Sequence, residues 1–193
     1  MQLKSTNKGR RPGGRTADTG RRVFDAALAL LVEGGMTACT FQMVAQRSGV
    51  SRTTLYRRWP DRAALVLDAL ADRVGHDIVA PDTGSLAGDL RSLLRRVASF
   101  LATPLGRATL VAAAQSDSPE KMRSDFWTLR MATMAPIFAR ARGRGELSQT
   151  DDAEAILAST VGAVYFRLLV GGRPADNDWI VRIVDRAVAT ASR

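Results

Sequence analysis

Between Val23 and Val74 apolar residues recur three and four positions apart, a spacing that predicts four helices in close succession. Val23, Ala26, Ala27, Leu30 and Leu31 make one face of a helix over residues 19–33, which Gly34-Gly35 ends. A short helix over residues 41–47 follows, then a tight turn at Ser48-Gly49-Val50 and a second short helix over residues 52–58. Thr40 and Ser51 stand just before these two helices, where a side-chain oxygen can accept a backbone N–H that the first turn leaves unpaired. Behind Trp59-Pro60, a fourth helix carries Ala64, Leu65, Leu67, Leu70 and Val74 to about residue 78.

From Ser85 onward the pattern stays helical. Ser85 caps a helix bearing Leu86, Leu90, Leu93, Leu94, Val97, Phe100 and Leu101, and Thr103-Pro104 starts another that reaches Gln115. A long helix opens at Ser118-Pro119-Glu120 and runs to about Arg142, with Pro136 inside it, where a kink is expected. Asp151 with Glu154 reads as a capping box for a helix through Val170, and a last helix covers residues 178–191. No strand-like alternation is visible. The expected fold is all-α, a three-helix N-terminal domain followed by a helical bundle, about nine helices in total. The expected division is a flexible basic arm over residues 1–18, a first domain over 19–66 and a second over 67–193.

The two short helices carry the most specific pattern. Val44, Val50 and Leu55 point inward, Ala45 is small where the helices cross, and Gly49 suits the positive φ of a sharp helix-to-helix turn. Outward on the second helix lie Arg52, Thr53, Thr54, Tyr56, Arg57 and Arg58, a set of donors for phosphates and base edges. Two readings fit: a helix-turn-helix that enters a DNA major groove, or an ordinary helical hairpin with a solvated basic face.

Charge separates these readings. The 193-residue chain has a net charge of +9, and residues 1–66 hold twelve of the 28 Lys and Arg but four of the 19 Asp and Glu, a local excess of +8. Excess cation on that third of the chain favours a polyanionic partner through counterion release. Within the arm, Gly9 to Arg15 could follow a minor groove or serve as a solubilising tail. No apolar run approaches the length of a membrane span, and no signal peptide is visible in residues 1–22, so neither a membrane partner nor export is expected. A lone Cys39 agrees with the cytoplasm, at the nucleoid. That thiol is either redox-active or a small buried apolar group.

Catalytic constellations are missing from the sequence. His76 is the one histidine and sits near a helix end, no nucleophile elbow or phosphate loop occurs, and no Cys/His spacing suits a metal. An enzyme is not expected, nor a cofactor, nor a metal.

Several residues in order carry a family resemblance: Ala26-Ala27, Leu30-Leu31, Glu33-Gly34-Gly35, Val44-Ala45, Gly49-Val50-Ser51, Leu55-Tyr56, Trp59 and Leu65. This stretch resembles the N-terminal domain of the TetR family of bacterial transcriptional regulators. Trp59 and Pro60-Asp61-Arg62 depart from the commoner pattern and are similar to a subgroup with Tyr-Arg-Arg-Trp-Pro. Gly145-Glu146-Leu147, Asp151-Asp152, Gly162 and the run from Tyr165 to Leu169 resemble the C-terminal half of that subgroup.

The resemblance implies double-stranded DNA as partner, with Thr40, Gln42, Arg52, Thr53, Thr54, Tyr56, Arg57 and Arg62 at contact positions and Arg58 as a further phosphate anchor. It implies a homodimer joined through the last two helices, for which Ile156, Val161, Val164, Ile180, Ile183, Val184 and Ala187 are the candidates. These apolar faces could equally complete the core of one subunit. It also implies a pocket for an unknown small-molecule effector, with Phe100, Trp127, Met131, Met134, Phe138, Tyr165 and Phe166 as candidates, although such residues at helical spacing also make plain core. The expected function is a sequence-specific repressor released from its operator by that effector. The alternative is a protein that coats DNA without sequence preference.

Overall fold

The computed structural model describes residues 13–77, 79–115 and 119–191. Nine α-helices and one π-helical segment occur among them, with no strand. They are α1 (Gly13–Ala38), α2 (Phe41–Ser48), α3 (Arg52–Arg58), α4 (Arg62–Asp77), α5 (Leu86–Leu101), α6 (Pro104–Gln115), α7 (Pro119–Gly143), α8 (Ala153–Tyr165), the π segment Phe166–Val170 and α9 (Asn177–Ala191). The chain divides into two compact units between Ala69 and Leu70, inside α4.

The first unit is built on α1. This helix begins at Gly13, six residues ahead of the expected start, so residues 13–18 are helical rather than part of an arm. The arm ahead of Gly13, including most of the Gly9 to Arg15 segment, and the His76 side chain lie outside the described residues. Gly34 and Gly35 break the helical dihedrals as expected, and the chain resumes a helical turn as far as Ala38. Val23, Ala27 and Leu31 of α1, Val44 of α2, Leu55 of α3 and Leu65 and Val66 of α4 are each at most 1% exposed and make up the core of this unit. Burying each larger side chain contributes about 1.5–3 kcal/mol.

Trp59 closes this core at 3% exposure, and its indole N–H donates to Asp68 at 2.8 Å. Asp61 then caps α4, accepting the Ala64 N–H at 2.8 Å. The Pro60-Asp61-Arg62 departure thus resolves into an ordinary N-cap, with Arg62 the first helical residue.

Cys39 is a buried apolar group. Its Sγ donates to the Gly35 carbonyl at 3.4 Å and the Ala27 carbonyl at 3.6 Å, and burial pushes the thiol up to about 11. The thiol therefore stays protonated at neutral pH, and a disulfide-exchange reagent is expected to label it only when the unit unfolds. Labelling of the native protein at the rate of a free thiol would contradict the packing.

The second unit wraps around α5. Leu86, Leu90, Leu93 and Leu94 are fully buried and pack with Met134, Ile137 and Phe138 of α7, Val164 of α8, and Ile180 and Val184 of α9. Helix α7 runs through Pro136 without a break. At the start of α5 a polar cluster replaces apolar contact. Asp89, fully buried, accepts the Thr83 N–H at 2.6 Å and its hydroxyl at 2.9 Å, with Arg140 and Arg144 each 3.9 Å from its other oxygen. Glu146 accepts the Leu86 N–H and pairs with Arg144, contacts that hold its carboxyl below the usual range.

The cap of α8 is Asp152, which accepts the Ala155 N–H at 3.0 Å. Asp151, expected to do this, instead accepts from the Ser148 N–H one turn earlier at 2.5 Å. The segment Ala153–Val170 is long and apolar enough to cross a membrane by length and composition, contrary to the expectation that no such run exists. Only 28% of it is buried within the chain. Both Glu154 and Arg167 fall inside it, and its buried side belongs to the core of the unit.

Candidate nucleic-acid interface

The geometry of the two short helices follows from their caps. Thr40 is extended and accepts the Met43 N–H at 3.2 Å, while Ser51, also extended, accepts the Thr54 N–H at 3.3 Å. Between them Gly49 takes φ 69°, ψ 19°, and its N–H returns to the Ala45 carbonyl at 3.0 Å. A side chain at this backbone conformation is strained whatever the space, which is why the turn uses glycine. The Ser48 hydroxyl accepts the Val50 N–H at 3.3 Å and completes the corner. Glu33 of α1 pairs with Arg47 of α2 through two contacts of 2.6 and 2.7 Å, which lowers the Glu33 carboxyl and raises the Arg47 guanidinium from their ordinary values.

On α3, Leu55 is fully buried while Arg52, Thr53, Tyr56 and Arg57 stand in solvent. Tyr56, 61% exposed, rests edge-on against Phe41 with ring centroids 4.6 Å apart, so its hydroxyl is presented from a fixed ring. Gln42 is exposed at the start of α2.

Four other candidates are placed differently from the simple expectation of free donors. The Thr54 hydroxyl lies 2.9 Å from the Ser51 hydroxyl and belongs to the cap, because residue three of a helix faces its own N-cap. Thr40 is half-buried and its oxygen is engaged by Met43. Arg58 folds back with its guanidinium 4.7 Å from the Trp59 ring centroid and 5.9 Å from that of Phe24. Arg62 is half-buried at the first turn of α4.

Arg22 was legible in the sequence only as charge. The structure brings its guanidinium to 3.8 Å from where a Cβ at Gly49 would stand, beside the turn and 3.9 Å from Asp18. Its signal is its place on α1 one turn before the buried Ala26, at the edge of the packed face.

In the second unit the candidate pocket residues separate into three groups. Met134 and Phe138 are sealed in the core; Phe100, Trp127, Met131 and Tyr165 are half-buried against it; Phe166 points away at 65% exposure. Tyr165 and Phe166 are adjacent at the switch from α to π geometry, so both cannot face inward.

The candidate dimer residues also divide by burial within the single chain. Ile156, Val161, Val164, Ile180 and Val184 are at most 8% exposed and belong to the core of the single chain. Choosing by hydrophobicity alone selected the inward face, since α8 is apolar all round. Its outward face is a row of small residues, Ala155, Ala158, Ser159 and Gly162, ending in Phe166. Two open grooves flank this row. One of about 550 Å³ is lined by Asp152, Ile156, Ser159, Ile183 and Ala187, and one of about 760 Å³ by Ala158, Gly162, Ala163, Phe166 and Trp179. Of the seven expected residues, Ile183 and Ala187 are the two only half-buried, and both line the first groove.

A capped helix-turn-helix with a basic second helix, joined to a separate all-helical unit, defines a DNA-binding transcriptional regulator. Residues 23–69 match the family model described as bacterial regulatory proteins, tetR family, and residues 80–187 match the tetracyclin repressor-like C-terminal domain. The chain is 33% identical over 162 residues to the HTH-type transcriptional regulator AqdR of Rhodococcus erythropolis, covering 82% of this chain and 78% of that one. It is 32% identical over 165 residues to the DNA-binding transcriptional repressor TetR of Mycobacteroides abscessus, covering 82% and 86%. The crystal structure of the TetR family transcription regulator SCO0332 superposes with a TM-score of 0.70 at 33% identity, covering 89% of this chain and 97% of that one. The chain belongs to the TetR family of bacterial transcriptional regulators.

Proposed function

We propose that this regulator is a homodimeric repressor, placing α3 of each subunit in successive major grooves of one operator and leaving when a small molecule binds its second unit. The observation that carries the reading is the α3 surface: Arg52, Thr53, Tyr56 and Arg57 are solvent-exposed on a helix fixed by Ser51, Leu55 and Trp59. The name of the Mycobacteroides relative, a repressor, favours repression. Arg52 and Thr53, in the first turn, are the base readers, with Gln42 beside them; Tyr56, Arg57, Arg58, Arg62, Thr40 and Arg22 hold phosphates.

A single short helix buries little surface, so two half-sites about 34 Å apart are needed for operator-strength binding. The outward face of α8 with Ile183 and Ala187 supplies the self-complementary surface, since small side chains let helices approach closely and the flanking grooves accept the partner's larger groups. The effector acts by population shift, fitting better when the heads are out of register with the grooves. Such a protein works at the nucleoid in the cytoplasm and performs no catalysis.

Selecting bound fragments from a random duplex pool tests the reading. One palindromic sequence should emerge. Arg52→Ala is expected to relax preference at one base position by ~1–3 kcal/mol, whereas Arg57→Ala should weaken all sequences alike and reduce the salt slope by about one. Comparable binding to unrelated duplexes would favour non-specific coating instead.

A further inference from the structure

The π segment that ends α8 leaves three large apolar side chains, Phe166, Leu169 and Val170, standing in solvent. A π turn re-aims the side chains that follow it and is frequent where a helix serves a function. Phe166 is the bulkiest of the three and continues the outward row of Ala155, Ala158, Ser159 and Gly162. It is a ring set at the end of a smooth track.

The other end of that track has the space. Ala155 and Ser159 line the groove of about 550 Å³, whose apolar wall is Ile156, Ile183 and Ala187, and no aromatic side chain is among its lining residues. Eleven residues, three helical turns or about 16 Å, separate Ala155 from Phe166, so a subunit's own ring does not fill its own groove.

The two ends also differ in charge. Asp151 and Asp152 line the groove at the start of α8, together with Arg186. Arg167 and Arg173 line the second groove, beside Phe166. Arg167 lies with its guanidinium 4.8 Å from the Trp179 ring centroid and 3.4 Å from Asp176, while Arg173 is exposed. Two copies of one helix meet about a two-fold axis in one of two ways. With the axis along the helices, like ends meet, setting arginine against arginine and two Phe166 rings in the same space. With the axis across them the helices run antiparallel, and the acidic end of one faces the basic end of the other.

We propose that Phe166 is the anchor of an antiparallel dimer. A two-fold axis crossing α8 between Ser159 and Gly162 sets Phe166 opposite the partner's Ala155, where the ring enters the 550 Å³ groove, and brings Arg167 and Arg173 toward the partner's Asp151 and the partner's Asp152. The inference rests on the homodimer reading above and specifies the residue that holds the dimer and the direction of its helices. An aromatic ring seated in a pocket at the centre of an interface, with charged groups at the rim, is the usual distribution of binding energy.

The test uses the full-length protein. In sedimentation over a dilution series, Phe166→Ala should raise the dimer dissociation constant about thirtyfold or more, with an unchanged far-UV circular dichroism spectrum because the ring lies outside the core. Phe166→Leu should lose less. Arg173→Glu should weaken the dimer several-fold at low salt and less at high salt. Direction is read by cross-linking with a short bis-maleimide, for which the buried Cys39 gives little background. Ala155→Cys and Leu169→Cys subunits should cross-link when mixed and not when either is alone, since the antiparallel register brings these unlike positions within about one helical turn and keeps like positions far apart. Cross-linking of each variant with itself, none in the mixture, or a Phe166→Ala protein as dimeric as the unsubstituted one would overturn the anchor while leaving a dimer in place. An unsubstituted protein that is monomeric throughout would overturn the homodimer reading and the anchor with it.

Discussion

Replacing Gly162 by arginine is expected to convert the protein to monomers and to weaken operator binding by about a thousandfold or more, while leaving each subunit folded. Gly162 is exposed near the middle of the outward row of α8, and a Cβ built on it meets nothing within 4 Å. Glycine is also the poorer helix former by ~1 kcal/mol, so the subunit gains rather than loses stability. The same change sets a charged side chain at the centre of a surface that must close on its own copy. If specific affinity lies in the usual 10⁻⁸–10⁻¹¹ M range, or about 11–15 kcal/mol, losing one half-site removes several kcal/mol of it. Sedimentation and operator titration of the variant check both halves of the expectation. A Gly162→Arg protein that remains dimeric would show that α8 joins no subunits.

The second large effect lies in the polar cluster at the start of α5. Asp89→Ala is expected to destabilise the second unit by about 3–5 kcal/mol, because it leaves Arg140 and Arg144 without the buried carboxylate that both approach at 3.9 Å. It also strands the Thr83 N–H, which donates to Asp89 at 2.6 Å. A fall in melting temperature of roughly 10 °C or more should follow in a chain of this size. Asp89→Asn keeps the acceptor for Thr83 but not the charge, so most of the loss should persist. If both variants melt with the unsubstituted protein, the cluster is a surface ornament and the buried charge has been misjudged.

The head was more legible in the sequence than the second unit, for a physical reason. Thr40, Ser51 and Gly49 are constrained by backbone hydrogen bonds and a left-handed dihedral, both of which select residue type directly. The role of Thr54 was not readable, since a hydroxyl gives no sign of whether it faces DNA or its own cap. In the second unit, apolar residues surround α8 on every side, so periodicity could not tell the core face bearing Val161 and Val164 from the outer face bearing Ala158 and Gly162. Small residues such as Ala158 and Gly162 carry little hydrophobic signal on either face of a helix. Asp89 was invisible for the opposite reason, because an acid in the first turn of a helix reads as a solvated cap residue until Arg140 and Arg144 are brought to it from α7 and the turn that follows.

The central claim is that two heads engage one operator at a separation fixed by the dimer. Binding should therefore be titrated on the selected operator and on a copy whose half-sites are moved apart by about five base pairs, half a helical turn. The inserted duplex is predicted to bind no better than a single half-site. Equal affinity for the two duplexes would contradict the account.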